Sequence, residues 1–227
     1  MLGGILLAGL LVLGIVSFYV LPVIAESKYI YLESTTKGYF DFRGHFAGIR
    51  QLLFSRNWGY GASLFGPVDD LNISIGFLQW LITAFIVFII IFKKKFGEYK
   101  DFFVLLLIAG VFVFLINNKS IFIWDSIYQM AFIQFPWRFL GVLVFSLSLA
   151  SGALLKLLPQ KSTLPVLVLL IGGLLIISGS YFRPDIWYSY SDADLLSGKT
   201  LEEQKRASAG DYWPIYSKLI PEKLAPD

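Results

Sequence analysis

Long uncharged runs alternate with polar and aromatic segments along this chain, and the alternation predicts helices that cross a membrane. The runs occupy residues 2–24, 73–92, 102–116, 138–158 and 165–181. A helix rises about 1.5 Å per residue, so roughly 20 apolar residues cross about 30 Å of hydrocarbon. Each run approaches or exceeds that length, and the shortest, 102–116, can be lengthened through Asn117 and its neighbours. The expected fold class is all-α integral membrane, with about five transmembrane helices, interfacial helices in two outer loops and a polar outer tail. Residues 1–182 read as the transmembrane domain and 183–227 as the tail. A rival reading makes the first run a signal peptide, because Val23-Ile24-Ala25 before Glu26 has the small-residue look of a cleavage site. Such a peptide opens with a basic stretch, which Met1-Leu2-Gly3-Gly4 lacks, so a retained helix is expected. The same uncharged start is what a Met1 lying inside a longer protein would give.

The segments between the runs set the expected topology. Lys93, Lys94, Lys95 and Lys100 follow the second run, and Lys156 and Lys161 bracket the turn after the fourth. Short loops rich in lysine stay on the cytoplasmic side, so the amino end is expected inside and the tail outside the plasma (cytoplasmic) membrane. The outer loops are then residues 26–72 and 117–137. In the first, Phe42, Phe46, Ile49 and Leu53 recur at helical spacing, predicting a short helix lying in the interface. On that helix Arg43 and Arg50 would share one edge. Gly59, Gly61, Gly66 and Pro67 predict turns after it. The second loop mixes Trp124, Tyr128 and Trp137 with Asp125 and Gln134, as an interfacial or re-entrant piece does. Pro136 suits the first turn of the next helix. Ser148 and Gly152 in the fourth run, with Gly172, Gly173 and Gly179 in the fifth, offer small surfaces for close helix packing.

Composition narrows the function classes. Hydrophobic residues make up 56% and charged residues 15% of the 227, against about 25% charged in soluble domains. Cysteine is absent, which removes disulfides, thiolate metal sites and cysteine nucleophiles. The net charge of +3 forms no basic stripe of the kind that binds nucleic acid, so the bilayer is the expected partner.

No phosphate-binding loop, dinucleotide fingerprint, HExxH or GxSxG motif occurs. A Ser-His-Asp triad would have to use His45, the single histidine, and no nucleophile elbow accompanies it. Glu26, after the first run, is either a charge marking a helix end, a substrate-facing base or a metal-binding carboxylate. Asp69 and Asp70 are either a solvated turn or two carboxylates for a hard cation, the one cofactor to be considered. Arg43 and Arg50 suit a lipid phosphate or a helix resting on anionic head groups. His45 suits an interfacial hydrogen bond or the same ligand. Arg138, with Gln134 and Trp137 beside it, either snorkels to the interface or offers a fixed cation to an anionic group. Sequons stand at Asn72-Ile73-Ser74 and Asn118-Lys119-Ser120, the first close to a span.

Four pieces of the chain carry a resemblance. They are Ser17-Phe18-Tyr19-Val20-Leu21-Pro22 leading to Glu26; Leu52-Leu53-Phe54-Ser55 leading to Trp58-Gly59-Tyr60-Gly61; Phe132 through Leu140 with its Gln-Phe-Pro-Trp-Arg core; and Asp211-Tyr212-Trp213-Pro214-Ile215-Tyr216. The chain resembles large polytopic membrane proteins labelled as related to 6-pyruvoyl-tetrahydropterin synthase, which are similar to YfhO-type and other GT-C-like glycosyltransferases. The resemblance implies a polyprenyl-phosphate-linked sugar as donor and chemistry on the outer face. It covers the later part of such proteins. The acidic first outer loop that carries catalysis in them has no counterpart here, so Glu26 does not inherit that role, and a missing amino-terminal half or a neighbouring membrane subunit is an expected partner. The alternative is a non-enzymatic membrane scaffold or transporter component.

Overall fold

The computed structural model describes residues 2–55, 61–66, 69–182, 187–207 and 214–216. It divides into two units, Tyr39–Trp187 and a second made of Met1–Gly38 with Tyr188–Asp227. The predicted turns at Gly59 and Pro67, and the pieces Trp58-Gly59-Tyr60 and Asp211-Tyr212-Trp213, lie outside the described residues.

In the first unit, α2 (Ile49–Phe54), α3 (Phe77–Phe92), α4 (Lys100–Ile116) and α5 (Ile121–Ser126) precede α6 (Leu140–Ser151), α7 (Ala153–Leu157) and α8 (Gln160–Ser178). The second unit holds α1 (Leu2–Glu26), α9 (Asp192–Leu195) and α10 (Gly198–Ala207). There Ile30 pairs with Pro214 in an isolated antiparallel bridge, and Ile215 N–H donates to Tyr29 O at 2.9 Å. Ser191 caps α9, and its hydroxyl and N–H, donated to Asp194, hold that carboxyl below its ordinary value.

Counting flanking turns, four helices are long and apolar enough to cross a bilayer: Leu6–Tyr29, Phe96–Ile116, Pro136–Leu157 and Gln160–Ser178. A fifth apolar helix, Phe77–Phe92, has 16 residues. Together they are compatible with a helical, multi-pass integral membrane protein. The third and fourth predicted runs start with short 3₁₀ turns at Phe96–Tyr99 and Pro136–Phe139, the latter with Pro136 at its first position as predicted. The last run begins earlier than its apolar pattern implied, at Gln160, and carries Pro165 inside the helix.

Helix α4 packs against α6, and α3 joins them. Two apolar cores form, one at each end of this group. Ile86, Ile90, Tyr99, Phe102, Ala150 and Leu154 fill the end that carries the lysine loops. At the other end, Ala109, Ile116, Leu143 and Leu147 pack with Ala47, Leu52, Ile73 and Ile75 of the long loop. The small residues that permit close approach are Ala109, Ser146 and Ala150, all buried. Of the predicted small residues, Gly172 and Gly179 face open space, where a Cβ would meet nothing within 4 Å, and Ser148 is exposed, whereas a Cβ on Gly173 would come 3.8 Å from Leu78 of α3. Thr83 and Ser146, buried inside the group, return their hydroxyls to the carbonyls of Gln79 and Val142, so no polar group is stranded there.

The predicted interfacial helix through residues 42–53 is not continuous. Asp41 caps a 3₁₀ turn at Phe42–Gly44, the chain then extends, and α2 begins only at Ile49. Tertiary bonds override the helical pattern: Ala47 N–H donates to Ile116 O at 3.0 Å, Asn117 Nδ2 donates to Ala47 O, and Gly48 N–H turns to Gln51 Oε1. Gly44 is required in the turn, since an added Cβ would lie 1.7 Å from the Phe65 ring. Arg43 and Arg50 therefore do not share a helix edge. Trp124, read from sequence as interfacial, is instead 1% exposed, stacked on Phe42 and donating its indole N–H to Leu115 O.

Candidate functional site

The end of the α3, α4 and α6 group opposite the lysine loops gathers most of the expected site residues. His45 follows the capped turn and is 2% exposed. Its Nε2 lies 2.5 Å from Tyr39 O, a group that can only accept, so Nε2 carries a proton. Its Nδ1 is 2.9 Å from Ser63 Oγ. Ser63 is also buried, and its oxygen receives the Trp137 indole N–H at 3.1 Å. On its other side, 3.2 Å away, is Asp69 Oδ1, which accepts Leu64 N–H at 2.8 Å, while Gln51 Nε2 donates to Asp69 Oδ2.

A serine, a histidine and an aspartate thus meet, but in the wrong order for a hydrolase. In a catalytic triad the acid accepts from the far imidazole nitrogen and the serine is open to substrate. Here that nitrogen faces a backbone carbonyl, the aspartate bonds the serine, and the serine is covered by Trp137. The cluster ties the loop to α6. Ser63→Ala is expected to lower unfolding stability by about 1–3 kcal/mol, because the Trp137 N–H and the His45 ring lose a buried partner. Thermal unfolding in lipid nanodiscs would read it, and an unchanged midpoint would contradict the role.

Asp69 is therefore engaged as an acceptor, and Asp70 is exposed. Among the described residues, no group of three or more histidine, aspartate or glutamate side chains converges as a cation site would need. Glu26 is exposed at the end of α1, in the other unit from Arg138.

The arginines differ in what already holds them. Arg43 reaches Asp41 at 3.2 Å and Asp125 at 2.5 Å and lies over the Phe42 ring, so two carboxylates already meet its charge. Both carboxylates are at least a third exposed, and such a pair adds little to stability. Arg50 is exposed on α2 and makes no ion pair among the described residues. Arg138 is also exposed and also makes no ion pair among the described residues, yet it is fixed. Its Nη1 donates to Ile133 O at 2.8 Å and its guanidinium lies 5.0 Å from the Phe135 ring centre.

Gln134 explains that fixation. Its φ of 65° and ψ of −51° form a tight turn in which Phe135 N–H donates to Ile133 O at 2.7 Å. This positive-φ γ-turn is rare and strained for a residue with a side chain. It aims Ile133 O at Arg138 and turns Phe135 into an aromatic cluster with Tyr39, Phe40, His45 and Trp137. Gln134 thus acts at least through its backbone.

Arg138 lines one of the larger openings on this unit. A groove of about 510 Å3 is bounded by Trp137, Arg138, Leu140, Gly141 and Val144 on one side and Leu71, Asn72 and Ile73 on the other. A Cβ on Gly141 would meet nothing within 4 Å, so that glycine leaves the groove open. The walls are apolar apart from Asn72 and Arg138, a form suited to an amphiphile with an anionic head and an apolar tail. Sequence reasoning singled out the cation, but not Tyr39, whose backbone carbonyl carries no sequence signal, nor Ser63 and Asp125, whose partners lie 18 and 82 residues away. No protein-family model, curated protein or solved structure matches the chain.

Proposed function

We propose that this chain is a five-span membrane protein that holds a lipid-linked phosphate at Arg138, and that it forms the carboxy-terminal membrane portion of a GT-C-like glycosyltransferase. The observation that carries the phosphate reading is a guanidinium fixed by Ile133 O and Phe135, unpaired by any carboxylate among the described residues, at the edge of an apolar groove. A guanidinium offers a planar fork to phosphate oxygens and stabilises charge on a leaving phosphate. A polyprenyl chain would lie along Leu140 and Val144. The sugar-transfer part rests on the resemblance of the Gln134-Phe135-Pro136-Trp137-Arg138 stretch alone. A second membrane piece, either the amino-terminal half or a neighbouring subunit, would supply the catalytic acid.

The orientation follows from charge. Glu98, Asp101 and Lys156 line one cavity, which brings the α3–α4 and α7–α8 turns to the same end. Lys95 donates to Glu98, and that bond raises the lysine's pKa above its ordinary value. Lysines at that end support a reading in which it faces the cytoplasm and Arg138 lies at the outer face. Single cysteines introduced as Lys93→Cys and Tyr128→Cys, in a chain without native cysteine, are expected to react with impermeant maleimide from opposite sides of the membrane. Labelling from the same side would end the five-span orientation. Loss of sugar transfer on Arg138→Ala in the complete protein tests the enzymatic reading, and unchanged transfer would favour a scaffold or transporter component.

A further inference from the structure

A second cavity, of about 490 Å3, opens between the start of α3 and the end of α8. Its polar lining consists mainly of side chains whose hydrogen-bonding capacity is unused. Asn72 Oδ1 is shut away from solvent and has no hydrogen-bond partner, although its Nδ2 donates to the Tyr181 hydroxyl at 2.8 Å. The side chains of Ser74, Gln79 and Ser178 make no hydrogen bond among the described residues and line the same space. Leu78 and Leu174 contribute apolar wall.

Unpaired polar groups at the edge of a membrane-embedded helix group are costly unless something satisfies them. Water could do so, but the volume lies within the range of small-molecule sites, which combine apolar walls with a few convergent polar groups. Gly76 is fitted to this arrangement. Its φ is 97°, and an added Cβ would lie 2.3 Å from Gln79 Oε1, so glycine lets the Gln79 amide fold over the turn. The described lining contains no charged residue, which disfavours an ion. Asn72 Oδ1 is closed off from the cavity, whereas the serine hydroxyls and the Gln79 amide on its wall can both donate and accept. We infer that this cavity binds an uncharged, polyhydroxylated group, a sugar ring, either free or carried on a lipid. The cavity shares Asn72 with the Arg138 groove, but its chemistry does not depend on that arginine.

The test uses the full chain in phosphatidylcholine nanodiscs free of sugar detergents. Saturation-transfer NMR is recorded with methyl glucoside in solution and, separately, with monoglucosyl diacylglycerol in the disc. Transfer to sugar ring protons is expected from at least one probe, and which probe responds tells free sugar from a lipid headgroup. The signal is expected to fall at least fivefold in Gln79→Leu/Ser178→Leu, which gives up no internal side-chain hydrogen bond among the described residues, and to persist in Arg138→Gln. Equal melting midpoints verify that the double variant is folded, and Ser74→Leu, made separately, is expected to lose the signal as well. No transfer from either probe, or equal transfer in wild type and the folded variants, overturns the inference. Transfer lost in Arg138→Gln but kept in the double variant overturns it too, by placing the sugar in the groove.

Discussion

Replacing Arg138 with glutamine is expected to weaken retention of a polyprenyl monophosphate by roughly 10- to 100-fold, the equivalent of about 1.5–3 kcal/mol for a charge-assisted hydrogen bond. Native mass spectrometry from nanodiscs doped with the phosphate, and in parallel with the uncharged polyprenol, reads the difference. Wild type should prefer the phosphate, and Arg138→Gln should bind both alike. Arg138→Lys keeps the charge but loses the planar fork, so an intermediate result is expected. Gly141→Trp fills the groove from an open position and should reduce both lipids while sparing the fold. If wild type retained the polyprenol as well as the phosphate, Arg138 would be only a snorkelling interfacial cation.

Trp124→Ala is expected to be the most destabilising single change, by about 3–5 kcal/mol, the usual cost of deleting a large buried aromatic side chain. Trp124 is 1% exposed, stacks on Phe42 at 5.2 Å and meets Phe46 edge-on at 5.7 Å. Its N–H also occupies Leu115 O at 3.1 Å. Removing it leaves a cavity where the loop before α2 rests on α5. Trp124→Phe keeps most of the packing and loses the hydrogen bond, so about 1–2 kcal/mol of that loss is expected from it. Thermal unfolding of both variants separates the two contributions. A Trp124→Ala midpoint within a degree or two of wild type would return the side chain to the interfacial role its sequence suggests.

These two residues illustrate what sequence reading reached. Arg138 stood out because a cation at the start of an apolar run is expensive in a membrane and invites an explanation. Trp124 was misplaced because aromatic residues mark interfaces and fill cores alike, and their burial depends on neighbours remote in the chain. The stripe at Phe42, Phe46, Ile49 and Leu53 was a true apolar face, but helical periodicity did not make it a helix. Ala47 found Ile116 O as a partner, and that bond broke the pattern. Gln134 carried no sequence signal of its γ-turn, because glycine or asparagine is the expected occupant of a positive-φ position.

By itself the sequence determined an all-helical chain with apolar segments of membrane-spanning character, their approximate limits and the lysine asymmetry, because hydrophobic length and loop charge are properties of consecutive residues. Tertiary structure decided which polar groups are spent and which remain available. His45 and Ser63 are 18 residues apart, Arg43 and Asp125 are 82 apart, and Asn72 and Tyr181 are 109 apart. Only the folded arrangement of α3, α4, α6 and α8 brings such pairs together. Among the described residues it commits Arg43, His45 and Asp69 to internal partners, and leaves Arg138 without a carboxylate partner and the side chains of Ser74, Gln79 and Ser178 without hydrogen bonds.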